Sequence, residues 1–285
     1  MTLRSEKVLK SLLSKCPEEQ RKSLERFLPE NERVLLDELP PSDETTSDPR
    51  FTEKGTLDEV HWSWLQPLIE GFSLREQQMY LAALNDQAAI SIAAALGIER
   101  GNETLSTLGR NFLRQTWLEL LTKDETQILP PEYLPASKLN RLLLLNKKDL
   151  IRLIDFLALY DLSIEFRQIV ETKILKKIYS FLSEEHKALL QQLTVSSESN
   201  PFGRLGLDRW DESAEMLRNL LHRRGLTRLG AALSGQEEDL IWTLCHHLDI
   251  GRGGALFKLC AKEMMPGITE NALHQVEELM DKAKL

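Results

Sequence analysis

Residues 207–285 read LDRWDESAEMLRNLLHRRGLTRLGAALSGQEEDLIWTLCHHLDIGRGGALFKLCAKEMMPGITENALHQVEELMDKAKL. Apolar residues recur every three or four positions in short runs, and glycine or Pro266-Gly267 separates one run from the next. That spacing is the period of a helix with one apolar stripe, and not the alternation of a half-buried strand. The stretch predicts several short amphipathic helices in succession.

The same pattern extends through the rest of the chain. Leucine is abundant, β-branched residues are scattered, and strict alternation is missing. Pro17 and Pro29 stand where a second and a third helix begin, and Pro40-Pro41 stops the third. From Leu57, LDEVHWSWLQPLIEGF reads as a helix that Pro67 kinks or restarts. Ser73 with Glu76 makes a capping-box pattern, and QAAISIAAALG is an alanine-rich helix closed by Gly97. Asn146 and Ser183 are caps for KKDLIRLIDFLALY and EEHKALLQQL.

Short helices preceded by Pro or Ser and acidic residues (CPEEQ, LPENE, FSLRE, LSEEH, SGQEED) echo one another without a fixed period. This is the pattern of stacked helical hairpins, each burying its apolar face on the next. The expected fold is therefore all-α, an armadillo-like or solenoid-like superhelix in two or more modules. The expected organisation is an N-terminal helical segment (1–41), a polar linker (42–56), a central helical domain (57–195), a second linker (196–206) and a C-terminal helical domain (207–285).

Composition narrows the function classes. The 285 residues carry 36 Lys+Arg against 44 Asp+Glu, a net charge of −8. That balance argues against nucleic acid as the main partner, because phosphate binding needs a basic surface. Three scattered cysteines, Cys16, Cys245 and Cys260, fit a reducing compartment and no disulfide framework. The opening MTLRSEKVLKSLLSK lacks the apolar run of a signal peptide, so the cytoplasm is the expected location.

Chemistry is hard to find. Cys245, His246 and His247 suggest zinc, but adjacent helical residues point about 100° apart and cannot all face one ion. GRGG at 251–254 lacks the phosphate-loop pattern and follows a helix, so close helix packing or a sharp bend is the expected use. Trp62 and Trp64 lie on different faces of their helix, one for the core and one for a neighbour or partner. Arg218, Arg223, Arg224 and Arg228 concentrate positive charge within an acidic chain; the region is either a solvated face or a docking patch for an acidic protein.

The last block also resembles the C-terminal domain of the FliG motor-switch proteins. LRNLLHRRGLTRLGAALSGQEEDL is similar to that family's helix, turn and A-L-K-G-A-x-E-E-L segment, with Ala232, Leu233, Gly235, Glu237, Glu238 and Leu240 matching. Leu248, Asp249, Arg252 and Leu256 fall where the family has its N-M-S-x-R-A-A-x-x-L turn. MPGITENALHQVEELMDKA is similar to its G-P-V-R-x-x-x-V-E-x-x-Q ending. Rotating members carry alternating charges on one exposed helix. Asp211, Glu212, Glu215, Arg218, Arg223 and Arg224 supply charges here without that spacing.

The resemblance therefore implies a static scaffold: a non-enzymatic adaptor of a type III secretion apparatus, held at the inner membrane through protein partners. Those partners would be a membrane-ring protein and the cytoplasmic platform proteins, with a ring of identical chains as a further expectation. Trp62, Trp64, Asp211, Glu212, Arg218, Arg223, Arg224 and Arg228 are the expected contact residues, with no cofactor. The alternatives are a torque-generating motor-switch protein and an enzyme or metal protein using Cys245, His246 and His247.

Overall fold

The computed structural model describes residues 3–39, 56–122, 128–169, 171–193, 201–262 and 266–282. Every regular element among the described residues is helical, so the chain is all-α. In chain order the helices are α1 (Leu3–Lys15), α2 (Glu18–Glu25), α3 (Glu30–Glu38), α4 (Thr56–Glu59), α5 (Trp62–Ile69), α6 (Leu74–Leu81), α7 (Asp86–Leu96) and α8 (Thr107–Thr122). Two 3-10 turns, Pro131–Tyr133 and Lys138–Leu144, lead to α9 (Lys147–Gln168), α10 (Thr172–Phe181), α11 (Glu184–Leu193), α12 (Ala214–Leu233), α13 (Glu238–His247), α14 (Ile250–Cys260) and α15 (Pro266–Lys282). No described helix is long and apolar enough to cross a membrane. The expected linker positions 42–55 and 196–200 lie outside the described residues.

Local chemistry sets where these helices start and stop. Ser73 and Glu76 form a reciprocal capping box, each side chain serving the other's free backbone N–H. The Asn85 side chain accepts from Ala88 N, and Gly97 closes α7 in the left-handed conformation at φ 68°, where a Cβ is disfavoured. Asn146 caps α9 through Asp149 N, and the Ser183 hydroxyl accepts from His186 N at 3.3 Å. Pro17 and Pro29 sit at the N-caps of α2 and α3. Pro67 lies inside α5 without ending it.

By contact, the chain divides into two compact units, Met1–Leu144 with Glu237–Gly253, and Leu145–Gln236 with Gly254–Leu285. The C-terminal stretch is thus shared between the units. In the first unit, α5 packs on α7 and α8, and α6 packs on α7, a stacking of near neighbours consistent with a solenoid-like arrangement. Trp117 of α8 is fully buried in that core, beside Leu65, Ile69, Leu81 and Ile92. Its indole N–H donates to the Tyr80 carbonyl at 3.1 Å, so the one polar atom of the ring is satisfied. Arg114 forks onto the Asp58 carboxylate at 2.6 and 3.1 Å, joining α8 to α4.

Gly253 explains the GRGG stretch. A Cβ there would lie 2.1 Å from the Cys245 carbonyl oxygen and 2.9 Å from the Trp64 ring. The glycine lets α14 pass directly against α13 and α5, and GRGG lies inside the first turns of α14 with Asp249 accepting from Arg252 N at 3.2 Å.

The second unit is organised around α9. From Leu153 to Leu162 that helix is buried almost all round, and α11, α12 and α15 pack on it. Its closest crossing is with α12, where a Cβ on Gly225 would lie 1.8 Å from the Ile154 carbonyl oxygen. A second close approach seats Gly230 against Leu259, at 2.6 Å from the position of a Cβ.

These glycines differ sharply in what alanine would do. Gly225→Ala must push two backbones apart and is expected to destabilise the chain by about 3 kcal/mol or more. Gly254, within α14, has nothing within 4 Å of a Cβ, so Gly254→Ala is expected to be neutral or to stabilise by up to ~1 kcal/mol. Urea unfolding of the two variants beside the parent protein checks the contrast.

Candidate docking face and its buried supports

Asp161 lies near the middle of α9 with no solvent exposure. An isolated carboxylate there would be strongly disfavoured, so its partners determine how the neighbouring helix sits. Arg228 of α12 forks onto it, with Nε and Nη2 at 2.8 and 2.9 Å from the two carboxylate oxygens. The third guanidinium nitrogen, Nη1, donates to Gln275 Oε1 on α15. The guanidinium plane also stands over the Phe202 ring at 4.7 Å and the Tyr160 ring at 5.5 Å. Tyr160 in turn donates its hydroxyl to Glu278 at 2.7 Å.

This placement corrects one expectation. Arg228 is 1% exposed and cannot belong to a docking patch; it is the cation that makes the buried carboxylate tolerable. Arg224 is turned partly inward as well. It donates to the carbonyls of Phe202 at 2.6 Å and Arg204 at 2.5 Å, so it holds residues 202–204 against α12. Glu165 completes that clamp by accepting from Leu205 N at 2.7 Å. The described part of the second expected linker, 201–206, is therefore tied down on this unit.

The remaining charges are exposed. Arg218 and Arg223 of α12 are exposed, and Asp211 and Glu212 are exposed in the turn that precedes it. Lys177 of α10 pairs with Glu212 at 2.5 Å, and Glu212 has φ 61°, a left-handed conformation unusual for a residue with a side chain. Ser213, through its hydroxyl and its backbone N–H, holds the Asp211 carboxyl below its ordinary range. Lys177 does the same for Glu212. Trp210 underpins the turn, buried against Phe181 and donating its indole N–H to the Ser213 carbonyl at 2.8 Å.

Trp62 and Trp64 sit in the first unit. Trp64 packs inward: its indole donates to the Leu248 carbonyl at 2.9 Å and its ring lies 4.3 Å from that of His246. Trp62 is half-buried, with His61 as its ring neighbour at 5.3 Å. Both rings are half-buried against the core of this unit, with different ring neighbours.

The Cys245, His246 and His247 side chains have three separate surroundings. Cys245 is fully buried, and His247 Nε2 faces the Glu59 carboxylate at 3.3 Å. His246 is stacked between Trp64 and Trp242, 3.9 Å from the latter ring. Its Nδ1 lies 2.7 Å from the Trp242 carbonyl, an acceptor only, so the proton is on Nδ1. Among the described residues no group of three His, Cys, Asp or Glu is placed to hold a metal ion. Burial raises the Cys260 thiol to about 12, so it stays protonated and unreactive.

Sequence reasoning missed the Asp161–Arg228 pair, although a signal was present. A single acid inside FLALYDLSI requires a cation facing it, and the arginine-rich α12 is the obvious donor. Replacing Asp161 by Asn leaves Arg228 buried and unpaired, with an expected loss of about 3–5 kcal/mol. The double change to Asp161→Leu with Arg228→Met is expected to recover most of that loss, which a thermodynamic cycle from denaturant unfolding measures.

A second prediction concerns acid. Burial pushes His246 down to about 4, opposed by the Trp242 carbonyl and assisted by His247. An unfolded histidine titrates at about 6.5, so the unfolded chain binds the proton first. The contribution is complete above the unfolded value and is lost as the pH falls from there towards 4, up to ~3 kcal/mol. His246→Gln is expected to remove this part of the pH dependence in unfolding midpoints compared between pH 7.5 and 4.5.

No protein-family model matches this chain, no curated protein matches it in sequence, and no solved structure matches its fold.

Proposed function

We propose that this chain is a non-enzymatic helical adaptor of a type III secretion apparatus, a docking scaffold between a membrane-ring protein and the cytoplasmic platform. The observation that carries the reading is the division of labour along α12. Arg224 and Arg228 face inward and lock the helix in rotation, while Arg218 and Arg223 are exposed on the same helix and Asp211 and Glu212 in the turn before it. A face of fixed geometry carrying both signs of charge suits recognition of a complementary protein surface, where charge steers encounter and fixes register. Which apparatus it serves rests on the FliG-like order of motifs in the same stretch.

In this reading the scaffold works by shape and charge, with no bond made or broken. A partner's acidic side chains would pair with Arg218 and Arg223, and its basic ones with Asp211 and Glu212. Rigid support beneath the face lowers the cost of ordering it on binding.

Arg218→Glu with Arg223→Glu is expected to leave the helical circular dichroism unchanged and to weaken recovery of ring and platform proteins about tenfold or more in co-purification. Unchanged recovery would sink the proposal. Loss of motility with normal assembly would instead favour the motor-switch role.

A further inference from the structure

The N-terminal helices carry apolar side chains that no described residue of their own unit covers. α2, Glu18–Glu25, has no buried residue at all. α3, Glu30–Glu38, buries only Leu36. Leu24 is 49% exposed, Phe27 84%, Val34 53% and Leu35 43%. Isolated helices of eight or nine residues fall below the ~12–15 that stand alone in water, and packing of an apolar face ordinarily supplies what is missing. Here that face points outward.

The segment is nonetheless held in shape. Lys10 of α1 donates to the carbonyls of Leu36, at 2.6 Å, and Leu39, closing the C-terminal end of α3. Arg33 donates to the carbonyls of Leu28 at 3.0 Å and Arg26 at 3.3 Å, fixing the turn that displays Phe27. Arg21 and Lys22 are paired with Glu25 and Glu18 on α2 itself, at 2.6 and 2.7 Å. Most of the local cations are therefore engaged within the segment.

The carboxylates are placed differently. Glu30 and Glu38 are exposed four residues before and four after Val34, on one face of α3. They bracket the Val34/Leu35 patch about 12 Å apart, at 1.5 Å rise per residue. Asp37 and Glu38 occupy the last turn of α3, which has no basic residue, so they stand against the negative end of its macrodipole. Negative charge at that place disfavours the isolated helix; Lys10 of α1 meets the helix end from one side, and the exposed Glu38 carboxylate suits an incoming cation.

We infer that α2 and α3 form a docking surface for a basic amphipathic helix of a partner protein, with apolar side chains on Phe27, Val34 and Leu35 and cations on Glu30 and Glu38. The acidic bracket opposes nucleic acid and anionic lipid, both of which need a basic face. The surface belongs to a different unit from α12 and does not depend on the secretion assignment.

The test uses the full chain, immobilised, against a phage-displayed library of randomised amphipathic helices. Enriched peptides are expected to carry Lys or Arg seven or eight positions apart, with apolar residues between them on the same face. Phe27→Asp is expected to weaken their binding at least about tenfold, and Glu30→Lys with Glu38→Lys to do the same and select acidic peptides instead. Circular dichroism of each variant guards against simple unfolding. Enrichment of acidic or uncharged peptides by the parent chain, or of none, overturns the inference. So does self-association in light scattering that Phe27→Asp abolishes, which would make the occupant a second copy; binding to anionic phospholipid vesicles would count equally against it.

Discussion

A carboxylate at the centre of an apolar helix dictates its surroundings, and Asp161 does so for the unit built on α9. Water cannot reach it, so a cation must, and Arg228 meets that demand through two parallel hydrogen bonds. The consequence reaches beyond the pair. With Arg228 fixed, α12 has one rotation about its own axis, Gly225 falls against the Ile154 carbonyl, and α15 is joined through Gln275. The surface charges of the unit follow from that rotation.

The other unit shows the same logic with aromatic groups. Trp117, Trp64 and His246 are large side chains with one or two polar atoms each, and each polar group singled out has found a backbone carbonyl. Gly253 supplies the space that lets Trp64 and the Cys245 carbonyl meet α14. Residues that look chemical in the sequence, Cys245, His246 and His247, are arranged here as packing. Their adjacency places them in different environments, and one of them is kept neutral by burial.

Functional surfaces are therefore best sought where the packing argument fails. Most apolar residues of the described chain contribute to a core. Phe27, Val34 and Leu35 do not, and the last turn of α3 carries Asp37 and Glu38 with no basic residue beside them in that turn. On α12 the same subtraction leaves Arg218 and Arg223 outside once Arg224 and Arg228 have been assigned inward roles.

Much of the fold was legible in the sequence because helix caps and helix periods are local. The box at Ser73 and Glu76, the Asn85 and Gly97 ends of α7, and the Asn146 start of α9 all depend on atoms within a few residues of one another. The absence of strand alternation likewise determined an all-α chain. What the sequence could not decide was which of four neighbouring arginines is buried. That choice depends on Asp161, 67 residues away in the chain, and on how closely two backbones cross at Gly225. Local spacing carries no information about such distant partners; only the packed structure, which makes an unpaired buried charge untenable, settles it.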